Sequence, residues 1–336
     1  MQGIAKQDLN KVLETLSGGG AALLVPMEID GVTRFARWEQ GAKTALGAGN
    51  TLLPPKEALF PQNEKVFNYE MSNEEAKIVP SAAAAEETII LGIRPCDVRA
   101  IQALDNVFLT KDYVDELYKT RRRHTLLIAL GCTQPAPTCF CSSVGGDPLQ
   151  AEGADIMLWD LGETYGLEAL SDKGKDLLKK IDKFMSKSRG KKPAAGKFSL
   201  EVDSRGIAEK LHNMFEDPIW DRWYQKCLGC GICTFICPTC HCFDMQEKHT
   251  GQWDGYRYRC WDSCMFQEYS LMAGGHNPRP TKKERLRNRF LHKLCFFQER
   301  YGMLLCTGCG RCVRECPVGM DITKFIKEVS EVSLNE

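Results

Sequence analysis

Apolar residues along the chain fall into two regimes. Up to about residue 185, short apolar runs alternate with stretches of helical spacing. Within Met1–Leu16, the residues Ile4, Leu9, Val12, Leu13 and Leu16 share one side of an amphipathic helix. Ala21–Val25, Thr88–Ile93 and Leu126–Leu130 are uninterrupted apolar runs of strand length, and Val98–Leu109 between the last two repeats at helical spacing. A strand–helix–strand order of this size predicts parallel pairing through a right-handed crossover. The expectation is an α/β N-terminal domain over 1–185 with a small, largely parallel sheet. Ser186–Lys197 reads SKSRGKKPAAGK, basic and almost free of apolar groups, so a linker is expected over 186–200. Beyond it, strand-like alternation gives way to helical spacing in Ile207–Gln225 and in Ile322–Val332. The expectation for 201–336 is a mostly α-helical domain.

Composition adds one decisive number: 17 cysteines in 336 residues. The N-terminal segment lacks the charged start, apolar block and cleavage site of a secretory signal. The longest apolar run, Leu126–Leu130, is far too short to span a bilayer. A cytoplasmic chain without a transmembrane segment is therefore expected. In that compartment thiols stay reduced, and so many of them point to metal rather than disulfides. The 44 basic and 44 acidic side chains cancel, which removes any electrostatic case for nucleic acid or an anionic membrane as the main partner.

The spacing then selects the metal. Cys227, Cys230, Cys233 and Cys237 precede Pro238, and Cys306, Cys309, Cys312 and Cys316 precede Pro317. Both blocks read C-x2-C-x2-C-x3-C-P, the ligation string of bacterial-type ferredoxins, in which the fourth cysteine serves the other cluster. Cys227, Cys230, Cys233 and Cys316 are thus assigned to one [4Fe-4S] cluster, and Cys306, Cys309, Cys312 and Cys237 to a second. Structural zinc sites use separated cysteine pairs instead. The stretch 238–305 between the blocks is too long for a minimal ferredoxin, so a large helical insertion is expected within a ferredoxin-like dicluster module. Fully thiolate-ligated cubanes offer no open coordination position and transfer single electrons.

Cys96 and Cys132 each follow a predicted strand, and Cys139 and Cys141 lie in the loop QPAPTCFC. If the strands are adjacent and parallel, these thiols emerge at one carboxyl edge of the sheet, where open α/β folds build sites. Together they make a ligand set for a third [4Fe-4S] cluster or for zinc; buried small hydrophobes are the plainer alternative. Cys240, Cys242, Cys260 and Cys264 are read as neighbours packing on the clusters, the last two four apart as on one helix face. Cys295 is read as core. His241, His249, His276 and His292 lack paired ligand spacing and are read as polar contacts. Arg279–Arg300 carries eight basic and two acidic residues, by default a solvated helix face and otherwise a docking surface or a field that tunes a cluster. Gly18–Gly20 and Gly47–Gly49 form no dinucleotide fingerprint, so no flavin or nicotinamide site is expected in this chain.

The stretches IRPCDVRAI, GCTQPAPTCFC, CPTCHCFDM, RCWDSCMF, AGGHNPRP and CTGCGRCVRECPV resemble the iron–sulfur beta subunits of soluble NiFe sulfhydrogenases. They are equally similar to the iron–sulfur electron-transfer subunit of anaerobic sulfite reductase and to dicluster subunits of heterodisulfide-reductase-type complexes. The resemblance implies the eight block cysteines as ligands, and it matches Cys96, Cys132, Cys139 and Cys141 to cysteines of the family's N-terminal half. It implies an electron relay between a flavin/NAD(P)-binding subunit, or a ferredoxin, and a catalytic oxidoreductase subunit, with no substrate chemistry of its own. The alternative is a catalytic subunit that reduces a thiol, disulfide or sulfur species at an N-terminal cysteine-ligated cluster.

Overall fold

The computed structural model describes residues 1–332 apart from 74, 84, 85, 111 and 189. The chain opens with β1 (Gln2–Ala5), α1 (Leu9–Ser17), β2 (Ala22–Ile29) and β3 (Val32–Arg37). Next come β4 (Asn63–Met71), β5 (Ala76–Pro80), β6 (Thr88–Ile93), α2 (Pro95–Phe108), α3 (Glu116–His124) and β7 (Thr125–Leu130). β8 (Ile156–Asp160), β9 (Thr164–Ala169), α4 (Asp172–Lys180) and β10 (Met185–Lys187) complete the first half. In the second half, α5 (Ile207–Asn213), α6 (Ile219–Trp223) and α7 (Ile232–Phe235) precede the hairpin β11 (Phe243–His249) and β12 (Asp254–Trp261). α8 (Lys282–Leu291), a π-helical turn His292–Phe296, α9 (Phe297–Tyr301), α10 (Arg311–Arg314) and α11 (Ile322–Glu331) follow.

The expected parallel strands form the centre of a larger, mixed sheet. β2, β6, β7 and β8 run parallel, and β6 and β7 are direct neighbours. These strands are covered on both faces, which is why they read as continuous apolar runs. Antiparallel strands extend the sheet on both sides, giving the order β10-β1-β9-β8-β7-β6-β2-β3. The sheet is therefore neither small nor largely parallel. Two additions account for much of the difference: the N-terminal residues begin as β1 before helix α1 starts, and the last strand uses Met185–Lys187. Ile4 consequently packs from a strand, while Val12, Leu13 and Leu16 pack from the helix.

The C-terminal half is likewise not mostly helical. The segment between the cysteine blocks contributes β11 and β12, and β12 pairs with β4 from the first half. The result is a four-stranded antiparallel sheet, β11-β12-β4-β5, that joins strands from both halves. A large helical insertion is thereby replaced by a hairpin followed by α8. On the buried side of this sheet Arg259 Nε and Nη2 donate to Glu64, and Arg259 also pairs with Asp115. The helical expectation over Ile207–Gln225 breaks into α5, α6 and a 3-10 turn, with Pro218 as the residue preceding α6. No helix among the described residues is long and apolar enough to cross a membrane.

Candidate metal centres

The first block begins after the 3-10 turn Tyr224–Lys226 and runs through α7. Cys227, Cys230 and Cys233 from this loop and Cys316 from the second block line one pocket, together with apolar side chains that include Met265 and Phe290. Cys312 also reaches the wall of that pocket. Backbone amides already point at two of the sulfurs: Gly229 N–H donates to Cys227 Sγ (3.4 Å) and Met320 N–H to Cys316 Sγ (3.1 Å). Cys230 is exposed, so this set opens towards the surface. Four thiols with amide donors in an apolar surround are the donor set that a thiolate-ligated cubane takes.

Cys237, Cys306, Cys309 and Cys312 form a second gathering, close enough that the neighbouring thiolates raise the pKa of Cys306, Cys309 and Cys312. Burial is the larger cause, and it pushes Cys306 up to about 11. Cys237 is the exception. The thiol of Cys240 hydrogen-bonds to it and, against burial, holds it well below the ordinary thiol range, with Lys293 and Arg289 adding to the effect. Lys293 Nζ lies 3.1 Å from Cys237 Sγ and 3.0 Å from Thr239 Oγ1, which itself is 3.2 Å from the sulfur.

Cys96 and Cys132 follow the adjacent parallel strands β6 and β7, at the same end of the sheet. The loop after β7 brings Cys139 and Cys141 to the same edge. Burial raises Cys139 to about 11 and Cys141 to about 12, with Cys132 and the neighbouring thiols adding to it. Cys96 is raised chiefly by burial and then by Asp97, with Cys309 and Cys141 close enough to contribute. The N-terminal thiols thus abut the second ferredoxin block directly. Phe140 N–H donates to Gly308 O (2.8 Å), Asn50 Nδ2 to Cys309 O (2.6 Å), and the Cys139 thiol to Cys309 O (3.7 Å). Gly308 and Gly310 have φ of +65° and +73°, and a Cβ on them would lie 2.5 Å from Cys141 Cα and 2.2 Å from Thr138 O. Glycine here permits both the left-handed backbone and the close apposition of the two loops.

One ion pair clasps this junction. Arg311, inside the second block, places Nη1 and Nη2 at 2.6 and 2.8 Å from the two carboxylate oxygens of Asp97, and Nε at 2.6 Å from Thr51 O. Both side chains are fully buried. Two planar groups meeting fork to fork fix geometry as well as charge.

Comparison with known proteins identifies an iron–sulfur domain in the second half of the chain. Residues 226–320 match the 4Fe-4S dicluster domain model. The chain is 30% identical over 321 residues to Sulfhydrogenase 2 subunit beta of Pyrococcus furiosus, covering 91% of each chain. The chain belongs to the iron–sulfur beta-subunit family of sulfhydrogenases. No solved structure matches it.

Within this sulfhydrogenase beta-subunit framework, several residues singled out by sequence sit differently from expectation. Cys260 lies on strand β12 beside Asp244, while Cys264 lies in the turn beyond, so the two do not share a helix face. Cys264 instead hydrogen-bonds with Cys242, which it holds down to about 6. Cys295 is fully buried, as expected of a core residue. The basic run is not a solvated face throughout, because Arg285, Arg289 and Lys293 are buried. His241 and His292 are stacked edge to face, 5.5 Å between centroids. Sequence reasoning overlooked Asn50, Lys56 and Thr239; Thr239 had only its adjacency to cysteines as a signal and the other two had none, while Lys293 was covered only as a member of the basic run.

Proposed function

We propose that this chain is the electron-relay subunit of a hydrogenase-type complex, placed between a flavin/NAD(P)-binding or ferredoxin partner and a catalytic subunit. [4Fe-4S] clusters, when bound, would accept and release single electrons without opening a substrate position. Cys227, Cys230, Cys233 and Cys316 would hold one, and Cys237, Cys306, Cys309 and Cys312 the second. Cys96, Cys132, Cys139 and Cys141 would hold a third. The protein's own part is to ligate, to direct amide and ammonium donors at sulfur, and to exclude water through Phe290, Met265 and the packed loops around Gly308.

The observation that carries this reading is the continuity of the three thiol sets. Arg289 spans the first two, donating to Cys233 O (3.1 Å) and lying near enough to Cys312 and Cys237 to act on their thiols, and the Cys309 carbonyl joins the second to the third. Such contiguity suits a relay rather than three independent structural sites. The test is anaerobic iron and acid-labile sulfide per chain, with EPR of the reduced protein. Full loading gives about 12 irons for three cubanes. A value near 8 limits the relay to the C-terminal pair, and a value far below 8 in intact protein overturns the reading.

A further inference from the structure

Helix α8 starts with a capping box, Thr281 and Glu284, and would continue straight into α9 but for the π-helical turn His292–Phe296. Such a wide turn re-aims side chains within a helix and recurs at functional sites. Here the turn carries Lys293 into the core, where the residue is 3% exposed. Its ammonium hydrogen-bonds to Cys237 Sγ and Thr239 Oγ1.

Two further cations approach the same few residues. Lys56, 3% exposed, donates to Cys240 O (2.8 Å) and sits 4.1 Å above the Trp261 ring. Arg289, 4% exposed, lies against Cys240 Sγ and Cys233 O. Among the described residues, none of the three makes an ion pair with Asp or Glu. A buried cation without an anionic partner is costly; Lys293 and Arg289 meet sulfur instead, at Cys237 and Cys240, and Lys56 meets the Cys240 carbonyl. Cys237 Sγ receives the densest set of donors: Lys293, Thr239 and the Cys240 thiol. Among the described residues, the first set receives amide hydrogen bonds at the sulfurs of Cys227 and Cys316, Lys282 and Arg289 act on its Cys227 and Cys233 through space, and its Cys230 faces solvent.

Resting on the relay reading, we propose that Lys293, with Thr239 and Cys240, makes the site of Cys237, Cys306, Cys309 and Cys312 the more readily reduced of the two C-terminal sites. Reduction adds one negative charge to a cluster. Positive charge and hydrogen bonds at a ligand sulfur favour the reduced form, and burial keeps solvent from screening them. Lys293 is a positioning residue: it ligates nothing and touches no substrate. Its effect belongs to one cluster and not the other.

The test is an EPR-monitored redox titration of the full chain with iron and sulfide determined on the same samples. In Lys293→Met, the midpoint of one C-terminal cluster shifts negative, so that at fixed potential its reduced fraction relative to oxidised drops at least tenfold, about 59 mV for one electron. The other midpoint stays in place, and Lys293→Arg recovers most of the shift. Unchanged midpoints at full iron content overturn the proposal. If Lys293→Met loses iron, Thr239→Val, which removes a donor but no charge, decides: a smaller negative shift supports the proposal and an unmoved midpoint overturns it. A wild-type chain without cubanes would sink the relay reading itself, an outcome distinct from cubanes whose potentials ignore Lys293.

Discussion

At the scale of single residues, the polar groups buried around the cysteines are as informative as the cysteines. His241 and His292 touch each other inside this region. Burial, more than any charge, holds His241 down to about 4 and His292 to about 3, from an ordinary 6.5. Around His292 the cations Lys293, Arg289 and Arg279 oppose a further positive charge; around His241, Lys293 and Lys56 do so while Cys237 and the Thr239 carbonyl favour it. Both rings are therefore neutral in the fold, whereas the unfolded chain binds protons as pH falls through about 6.5. The stability they allow is complete above that pH and declines progressively below it, towards the folded-state values. One histidine accounts for about 1.4 kcal/mol per pH unit within the window. Replacing His292 by Phe should make the acid limb of stability between pH 6 and 4 shallower by about that slope, measured by denaturant unfolding under argon across the pH range. An acid limb identical to wild type would show that His292 is protonated in the fold.

At the scale of elements, the junction between the β6–α2 unit and the second cysteine block depends on Arg311 and Asp97. Their burial means that removing one partner strands the other's charge in the core, a loss of about 3–5 kcal/mol in comparable buried pairs. Asp97→Ala should therefore lower the melting temperature of the loaded protein sharply. The paired replacement of Arg311 by Met and Asp97 by Leu should recover part of the loss, because no charge is then left unpaired. Equal melting temperatures for Asp97→Ala and wild type would contradict the clasp. This junction also marks where sequence was legible and where it was not. Strands β6 and β7 and helix α2 could be read because their apolar runs are local and continuous, and the cysteine blocks because ligation demands a fixed spacing. Strands β11 and β12 escaped notice because Phe243–His249 is mostly polar and exposed along its length, with no buried face to print a pattern. Tyr256, Tyr258 and Cys260 do alternate with Arg257 and Arg259, but the residue facing inward is Arg259, a charge neutralised by Glu64 from far away in the chain. The place of Lys293 was obscured for the same reason: a basic run reads by default as solvated, and which of its members turns inward to a cysteine depends on partners from other elements.

At the scale of the whole molecule, the thiol sets run in series from surface to interior. The first opens at Cys230, which is exposed, and its loop carries Leu228 at 61% and Ile232 at 38% exposure. The second set lies behind it, with Cys237 and Cys309 buried, and the third adjoins the edge of the eight-stranded sheet. An apolar pair at the mouth of the one C-terminal set with an exposed cysteine is the feature a redox partner needs for close approach, since desolvating Leu and Ile favours contact while charges there would not. Leu228 lies beside Cys227 at the rim of the first thiol pocket, with most of its side chain exposed, so a neutral change there alters the docking surface more than the ligand loop. Leu228→Gln, which brings no charge beside the cluster, should leave iron content and midpoint potentials at wild-type values and leave reduction by a small dye unaffected. Its second-order rate constant for exchange with a protein partner should fall at least tenfold, measured by stopped-flow absorbance at fixed ionic strength. If the dye and protein rates fall together, the substitution has disturbed the cluster loop; if neither falls, partners reach the relay through another face, and the adjoining third set becomes its entry.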